Sequence, residues 1–168
     1  MPGVARLPAT PGARYPDHMG ELTLEELSAR NIVAANNLSL KPGQEQFIAP
    51  VSYSVAASVI NPATSWQRVV LLDGVVAGFI HGNFDPNSEH EEFRACIWRI
   101  NVNAETQGQG VGKFAAEALA TEARDRGFDH VNVIWEPGAD GPEAFFHRLG
   151  FVDVGETQYG EVIGSLQL

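Results

Sequence analysis

The sequence of 168 residues contains one cysteine and no long apolar run. Cys96 alone cannot close an internal disulfide, so a disulfide-dependent secreted fold is excluded and a reducing, cytoplasmic location is predicted. A membrane-spanning helix needs about 18 or more largely apolar residues in succession. The best candidate, residues 69–80, is interrupted by Asp73, Gly74 and Gly78, so we expect no membrane partner.

Positive charge is also scarce. The chain has 11 lysines and arginines against 21 aspartates and glutamates, which gives a formal net charge of −10 at pH 7. Such a protein binds nucleic acid or anionic lipid poorly, because these polyanions require clustered positive charge. Acidity is compatible with a cationic substrate, although it also serves solubility alone. The five histidines show no zinc-ligand spacing, and no metal is predicted.

The length and a hydrophobic content of 44% are typical of one globular domain. Residues 1–18 differ, because prolines at positions 2, 8, 11 and 16 oppose regular secondary structure. We predict a disordered tail over 1–18, or a true start at Met19, with a regulatory or targeting arm as the alternative. Residues 19–168 are predicted to form the domain.

Hydrophobic periodicity and turn residues predict an alternation of strands and helices in that domain. Strands are predicted at 21–26, 66–72, 75–81, 93–103, 130–135, 151–154 and 161–168, and helices at 28–38, 52–60, 111–126 and 142–149. Ser28 is the predicted cap of the first helix, and Asp73-Gly74 predicts a tight hairpin. Late helices lying between strands predict an α/β fold with a mixed sheet.

The long strand at 93–103 carries charged and aromatic residues. Strict alternation places Ile97 and Arg99 on one face and Trp98 on the other. A charge in the middle of a strand needs a partner, so we expect Arg99 to pair with Glu156 or Glu161. Trp98 is expected to lie in the core.

A glycine-rich loop follows this strand and precedes a helix. Free backbone N–H groups, the helix dipole and small residues together favour binding of an anion there. A dinucleotide fingerprint would require glycine at 113, where the chain has Lys113. A P-loop would require glycine at 107 and a hydroxyl at 114, where the chain has Gln107 and Phe114. The alternative is a turn without a ligand.

The pattern Gln107-x-x-Gly110-x-Gly112 resembles the acyl-CoA signature of the GCN5-related N-acetyltransferase (GNAT) family. Similarity extends over residues 22–168. Residues 44–50 and 53–56, and Trp98-Arg99, resemble bacterial spermine/spermidine (diamine) acetyltransferase-like members. Residues 145–151 resemble the family block Phe-Tyr-x-Lys-Leu-Gly-Phe.

This resemblance implies a GNAT-like mixed sheet whose two central parallel strands splay apart, with acetyl-CoA in the gap. It also implies acetyl transfer to a primary amine, with a polyamine or another small cation as the leading acceptor, and a possible homodimer. Backbone groups of the strand are expected to bind pantetheine and those of the loop the pyrophosphate. The residues expected at the cofactor are Ile100, Val102, Gln107, Gly108, Gln109, Gly110, Val111, Gly112, Lys113, Phe146 and Arg148.

The sequence departs from the family at Phe146, where a tyrosine usually protonates the departing thiolate. Phenylalanine has no proton to give. Either another group or solvent protonates the thiolate, or the chain is a catalytically impaired CoA-binding module. Glu45 and His81 are candidates for binding or deprotonating the amine, and Tyr159 is a candidate proton donor. Each also has a purely structural explanation. An antibiotic or amino-acid amine is the alternative acceptor.

Overall fold

The computed structural model describes residues 20–168, and the predicted tail at 1–18 lies outside them. The elements follow the predicted order. They are β1 (Leu22–Glu26), α1 (Ile32–Asn36), α2 (Val51–Ile60), β2 (Ser65–Leu72), β3 (Val75–Phe84), β4 (Ala95–Val102), α3 (Val111–Asp125), β5 (His130–Trp135), α4 (Glu143–Arg148), β6 (Val152–Glu156) and β7 (Val162–Gln167). No helix in this part of the chain is both long and apolar enough to cross a membrane.

The strands form one mixed sheet in the order β1-β2-β3-β4-β5-β7-β6. Every neighbouring pair is antiparallel except β4 and β5. These two parallel strands pair at only two positions, Cys96 with Asn132 and Ile97 with Val133. Beyond Ile97, β4 continues to Val102 without a partner on that side. The predicted α/β fold with splayed central strands is therefore confirmed.

The hairpin between β2 and β3 is also confirmed. Asp73 and Gly74 both adopt positive φ, at 51° and 81°, as a type I′ turn requires. The predicted cap at Ser28 is wrong, because α1 begins only at Ile32 after Asn31. The Asn31 side chain accepts the Ser28 N–H at 2.8 Å and donates to the Glu26 carbonyl at 2.9 Å.

Helices cover both faces of the sheet. One face of α3 buries Val111, Ala115, Ala118 and Leu119 in the main core, which also receives Phe146 from α4. On the opposite face, a smaller cluster joins Ala35 of α1 and Val51 of α2 to Val69 and Phe79 of the sheet. The side of the sheet that carries α1 and α2 is called the α2 face below.

A β-bulge in β4 overturns the predicted alternation. His81 pairs with Arg99 but the next residue, Gly82, pairs with Ile97, so Trp98 is an extra residue. As a result Ile97 and Ile100 both face the main core, while Arg99 contacts α2 on the other face. Trp98 is 45% exposed and stacks on Phe93, with ring centroids 5.1 Å apart, so its predicted core position is wrong.

Candidate functional site

The loop between β4 and α3 presents unbonded backbone N–H groups. Gly108 and Gly110 have positive φ values of 82° and 85°, and Gly110 is the N-cap of α3. The first helical bond runs from the Phe114 N–H to the Gly110 carbonyl at 2.9 Å, and no side chain caps the helix. The N–H groups of residues 111–113 therefore have no partner among the described residues, as is usual for a first helical turn.

The glycines of this loop serve two different purposes. A Cβ at Gly108 would meet no atom within 4 Å, so this glycine leaves the backbone open to a ligand. A Cβ at Gly112 would lie 3.0 Å from the Phe145 ring and 3.4 Å from Val102. Gly108 thus leaves room for an anion beside the loop, and Gly112 lets α3 pack closely.

The side chain of Gln107 ties the loop to the segment before α2. Its Nε2 donates to the Gln44 Oε1 at 2.7 Å and to the Val102 carbonyl at 3.1 Å. The Gln44 Nε2 donates back to the Gln107 Oε1 at 3.0 Å. This amide pair positions the loop through its side chains, which the sequence did not predict.

The unpaired edge of β4 offers backbone groups to the gap. The Asn103 N–H bonds the Ala77 carbonyl of the β3 side at 2.9 Å, and Val102 lies opposite Gly78. In an antiparallel ladder this pattern makes Val102 a non-hydrogen-bonded position, so its own N–H and C=O point away from β3. The same alternation turns the backbone groups of Ile100 towards the gap.

The two basic side chains expected at the cofactor are exposed. Lys113 lies 3.8 Å from Glu117, one turn along α3, and Arg148 is exposed at the end of α4. An anion in the loop would therefore be held mainly by backbone N–H groups and the helix N-terminus. Backbone amide groups along β4 suit the pantetheine arm of coenzyme A, and the free N–H donors of the loop suit its pyrophosphate.

A cavity of about 180 Å³ lies on the α2 face next to β4. Its apolar walls include Leu38, Ile48 and Val51, and its polar groups are Asn36, Glu45 and Asn101. Asn101 is 3% exposed; its Nδ2 donates to the Ala49 carbonyl at 3.1 Å, whereas its Oδ1 has no partner among the described residues. The cavity thus combines a carboxylate with an unsatisfied carbonyl oxygen. The sequence singled out Glu45 but missed Asn101.

His81 lies within β3, not at its end as predicted, because the strand continues to Phe84. The side chain is 2% exposed, its Nε2 lies 3.3 Å from the Ser65 Oγ, and its Nδ1 has no partner in the described part of the chain. Burial, reinforced by the positive charge of Arg99, lowers the pKa of His81 to about 4. His81 is therefore neutral and a weak base at pH 7.

Arg99 lacks the predicted carboxylate partner. Its Nη1 donates to the Ser54 Oγ at 2.9 Å, and its guanidinium lies 5.9 Å from the centroid of the Tyr53 ring. Glu161 instead accepts a hydrogen bond from Thr157 at 3.0 Å. No ion pair of Arg99 occurs within residues 20–168, so the predicted pairing with Glu156 or Glu161 is wrong.

The remaining candidates lie around α4 and the last hairpin. Phe146 is 6% exposed and stacks on Trp135 with ring centroids 5.6 Å apart, so this side chain is part of the core. Tyr159 is 81% exposed on the turn between β6 and β7. His147, next to Phe146, lies 2.7 Å from the Asp153 carboxylate.

The thiol of Cys96 in β4 is buried, and burial raises its pKa to about 12.

A mixed sheet that opens between two parallel strands, with the free N–H groups of a helix N-terminus at the end of one of them, is the arrangement expected of an acyl-CoA-binding transferase. The chain belongs to the acetyltransferase (GNAT) family, whose sequence model matches residues 34–151. It is accordingly an acetyl-CoA-dependent N-acetyltransferase. No curated protein matched the sequence.

Solved structures share this fold at low sequence identity. The ribosomal-protein-S18-alanine N-acetyltransferase from Escherichia coli is 20% identical, with a TM-score of 0.63 over 88% of this chain and 94% of that one. An acetyltransferase from Salmonella typhimurium that modifies the N-terminal serine of ribosomal protein L7/L12 is 17% identical, with a TM-score of 0.70 over 91% and 98%. The PaiA N-acetyltransferase from Thermoplasma acidophilum, solved with coenzyme A, is 14% identical, with a TM-score of 0.64 over 88% and 99%.

Proposed function

We propose that the protein transfers the acetyl group of acetyl-CoA to a primary amine that binds on the α2 face of β4. The observation that carries this proposal is the unpaired edge of β4 beyond Ile97, which leads directly to the open glycine loop. Acetyl-CoA would supply a thioester already activated for attack. The protein's own groups would hold it, exclude water and manage the proton of the amine.

The cofactor residues fall into two sets. Backbone groups of Ile100 and Val102 would bind the pantetheine amides, and free N–H groups within residues 107–112 the pyrophosphate. A net charge of −10 makes the protein repel a free anion, so the helix N-terminus has to supply the local attraction. Lys113 and Arg148 would add charge at the solvent edge, and Phe146 would support this end of the site from the core.

The acceptor has to lose a proton before it can attack. An aliphatic ammonium has a pKa near ~10 and is charged at pH 7. The Glu45 carboxylate and the Asn101 Oδ1 border one cavity and are both hydrogen-bond acceptors, which suits an ammonium group. Glu45 is the proposed proton acceptor, since the buried, neutral His81 is poorly placed for that role.

The leaving thiolate also needs a proton, which Phe146 cannot supply. A thiol pKa of about 8.5 makes it a tolerable leaving group, so solvent can protonate it at some cost in rate. Tyr159 is the alternative donor, and it is solvent-exposed. A small cationic amine, including polyamines, remains the acceptor class predicted from the resemblance and from Glu45. A homodimer and a cytoplasmic location likewise stay predictions of the sequence.

The test is release of free thiol from acetyl-CoA with a panel of primary amines. Glu45→Gln keeps the side-chain size and removes the charge, so we expect kcat/KM for the amine to fall at least about tenfold with little change in KM for acetyl-CoA. Glu25→Gln on the edge strand β1 is the matched control. Equal losses for both substrates would remove Glu45 from the acceptor site, and CoA binding without any thiol release would indicate a non-catalytic CoA-binding module.

A further inference from the structure

Arg99 is a positioned cation that no carboxylate neutralises among residues 20–168. One of its five N–H donors forms a hydrogen bond, from Nη1 to the Ser54 Oγ at 2.9 Å. Burial lowers the pKa of Arg99, an effect that Tyr53 opposes, and the guanidinium stays charged at neutral pH. A half-buried charge is costly unless an opposite charge pairs with it. The unmade interactions of Arg99 therefore suit an anionic ligand.

The surroundings of Arg99 hold its guanidinium in place. Ser54 is fully buried, and its carbonyl accepts a 2.6 Å hydrogen bond from the Gln67 Nε2 of β2. The ring of Tyr53 lies beside the guanidinium. An arginine fixed in this way presents its remaining donors as a planar fork, the shape that matches a carboxylate.

Arg99 shares a strand face with a residue of the acceptor cavity. Arg99 lies two residues beyond the last pairing of β4 with β5, at the edge of the gap. Asn101, which lines the cavity with Glu45, is the next residue along the same face of β4, with its Cα about 7 Å away. A side chain whose free donors suit an anion and one whose free Oδ1 suits an ammonium are therefore neighbours on one face of β4.

Neutral His81 leaves this arrangement of charges unchanged. It is the cross-strand neighbour of Arg99 and remains uncharged at pH 7, so it neither neutralises Arg99 nor adds an anion. A polyamine, which carries only positive charges, would be repelled by the Arg99 guanidinium when it binds beside Asn101. An acceptor with a carboxylate near its amine would pair with Arg99 through the carboxylate and with Asn101 and Glu45 through the ammonium.

We propose that Arg99 binds a carboxylate of the acceptor, which makes the acceptor an amino acid or a related amino-carboxylate. This inference rests on the proposed amine acetylation and names its substrate class. It assigns Arg99 to substrate binding, a role distinct from the purely structural pairing that the sequence predicted.

The test compares acceptors that differ only in the carboxylate, namely ornithine with putrescine and lysine with cadaverine. For the wild type we expect kcat/KM to be at least about tenfold higher for the carboxylate-bearing member of each pair. Arg99→Gln should abolish that preference by raising KM for ornithine and, because the repulsion is removed, lowering KM for putrescine. Arg99→Lys should keep part of the preference. Arg94→Gln is the matched control, because the exposed Arg94 side chain donates to the Ser88 carbonyl, away from α2 and the cavity.

Binding of ornithine to the CoA-loaded protein, measured by calorimetry, gives a readout that does not need turnover. Acetylation of both members at equal efficiency, a preference for putrescine, or unchanged selectivity in a folded Arg99→Gln variant would overturn the inference and leave amine acetylation standing. Absence of thiol release with every amine would instead overturn the proposed function. In that case calorimetry decides the anion site. Ornithine binding that becomes weaker in Arg99→Gln would support it. No ornithine binding, or equal binding to the wild type and the variant, would overturn it.

Discussion

Phe146→Tyr introduces the hydroxyl that the resemblance to the GNAT family leads us to expect at this position and tests whether a general acid is missing. The ring is 6% exposed and stacks on Trp135, with an interplanar angle of 17°. A hydroxyl buried there without a hydrogen bond costs about 1–3 kcal/mol. The buried Trp135 Nε1 has no partner in the described residues and is a donor that could reduce this cost. General acid catalysis contributes roughly 10²–10⁴-fold in rate.

We therefore expect Phe146→Tyr to raise kcat about 10²-fold, the lower end of that range, because the ring must turn partly out of the core to reach the gap. KM for acetyl-CoA should change little. The melting temperature should fall, by about 2–4 °C for each kcal/mol lost in a domain of this size. Phe151→Tyr is the matched control, since Phe151 is 2% exposed and its ring centroid lies 5.4 Å from that of Phe146.

The assay is thiol release from acetyl-CoA at saturating amine across pH 6.5 to 10.5, with thermal unfolding of the same samples. A working tyrosine acid adds a falling limb to the rate at high pH, near the tyrosine pKa of about 10. Phe151→Tyr should lose similar stability without any gain in rate. A folded Phe146→Tyr enzyme with unchanged kcat and no new limb would refute the reasoning and place the proton source elsewhere.

Two further predictions concern the loop and the buried histidine. Gly108→Ala and Gly127→Ala both place a side chain at positive φ, 82° and 87°, with open space for the Cβ. Each should cost a similar ~1–2 kcal/mol. Calorimetry should show weaker acetyl-CoA binding only for Gly108→Ala, and equal affinities would contradict the phosphate site. The pKa of His81 rises from about 4 in the folded state to 6.5 on unfolding, so its stabilising effect is complete above pH 6.5 and is lost as pH falls towards 4. In urea unfolding the wild type should lose about 2 kcal/mol more than His81→Gln between pH 7 and pH 5, whereas equal losses would show that His81 is not held neutral.

Local patterns predicted most of the fold. Strand alternation, the Asp73-Gly74 turn and the helix formers of α3 act over a few residues, so the sequence predicts the order of elements correctly. The glycine loop was predictable for the same reason, because the φ values of Gly108 and Gly110 and the free N–H groups of a helix start are local properties. The resemblance to the GNAT family then predicted the splay of the central strands.

The sequence could not predict which side chains meet across the fold. Gln44 and Gln107 lie 63 positions apart, and their paired amides show no local signal. Only the structure shows that the Nδ2 of Asn101 donates to the Ala49 carbonyl and leaves the Oδ1 of the same amide without a partner among the described residues. Arg99 was assigned a carboxylate on the general ground that buried charges are paired, and the structure pairs it with a hydroxyl and an aromatic ring.

The bulge at Trp98 determines both halves of the site. Without the extra residue, strict alternation would turn Arg99 towards the main core under α3, where an unpaired charge costs several kcal/mol. With it, Ile97 and Ile100 both pack into that core, so hydrophobic burial and charge exclusion specify the same register. That register also turns the backbone of Ile100 to the gap and Arg99 to the α2 face. A single inserted residue therefore places the proposed cofactor edge and the proposed acceptor groups on the same few residues of β4.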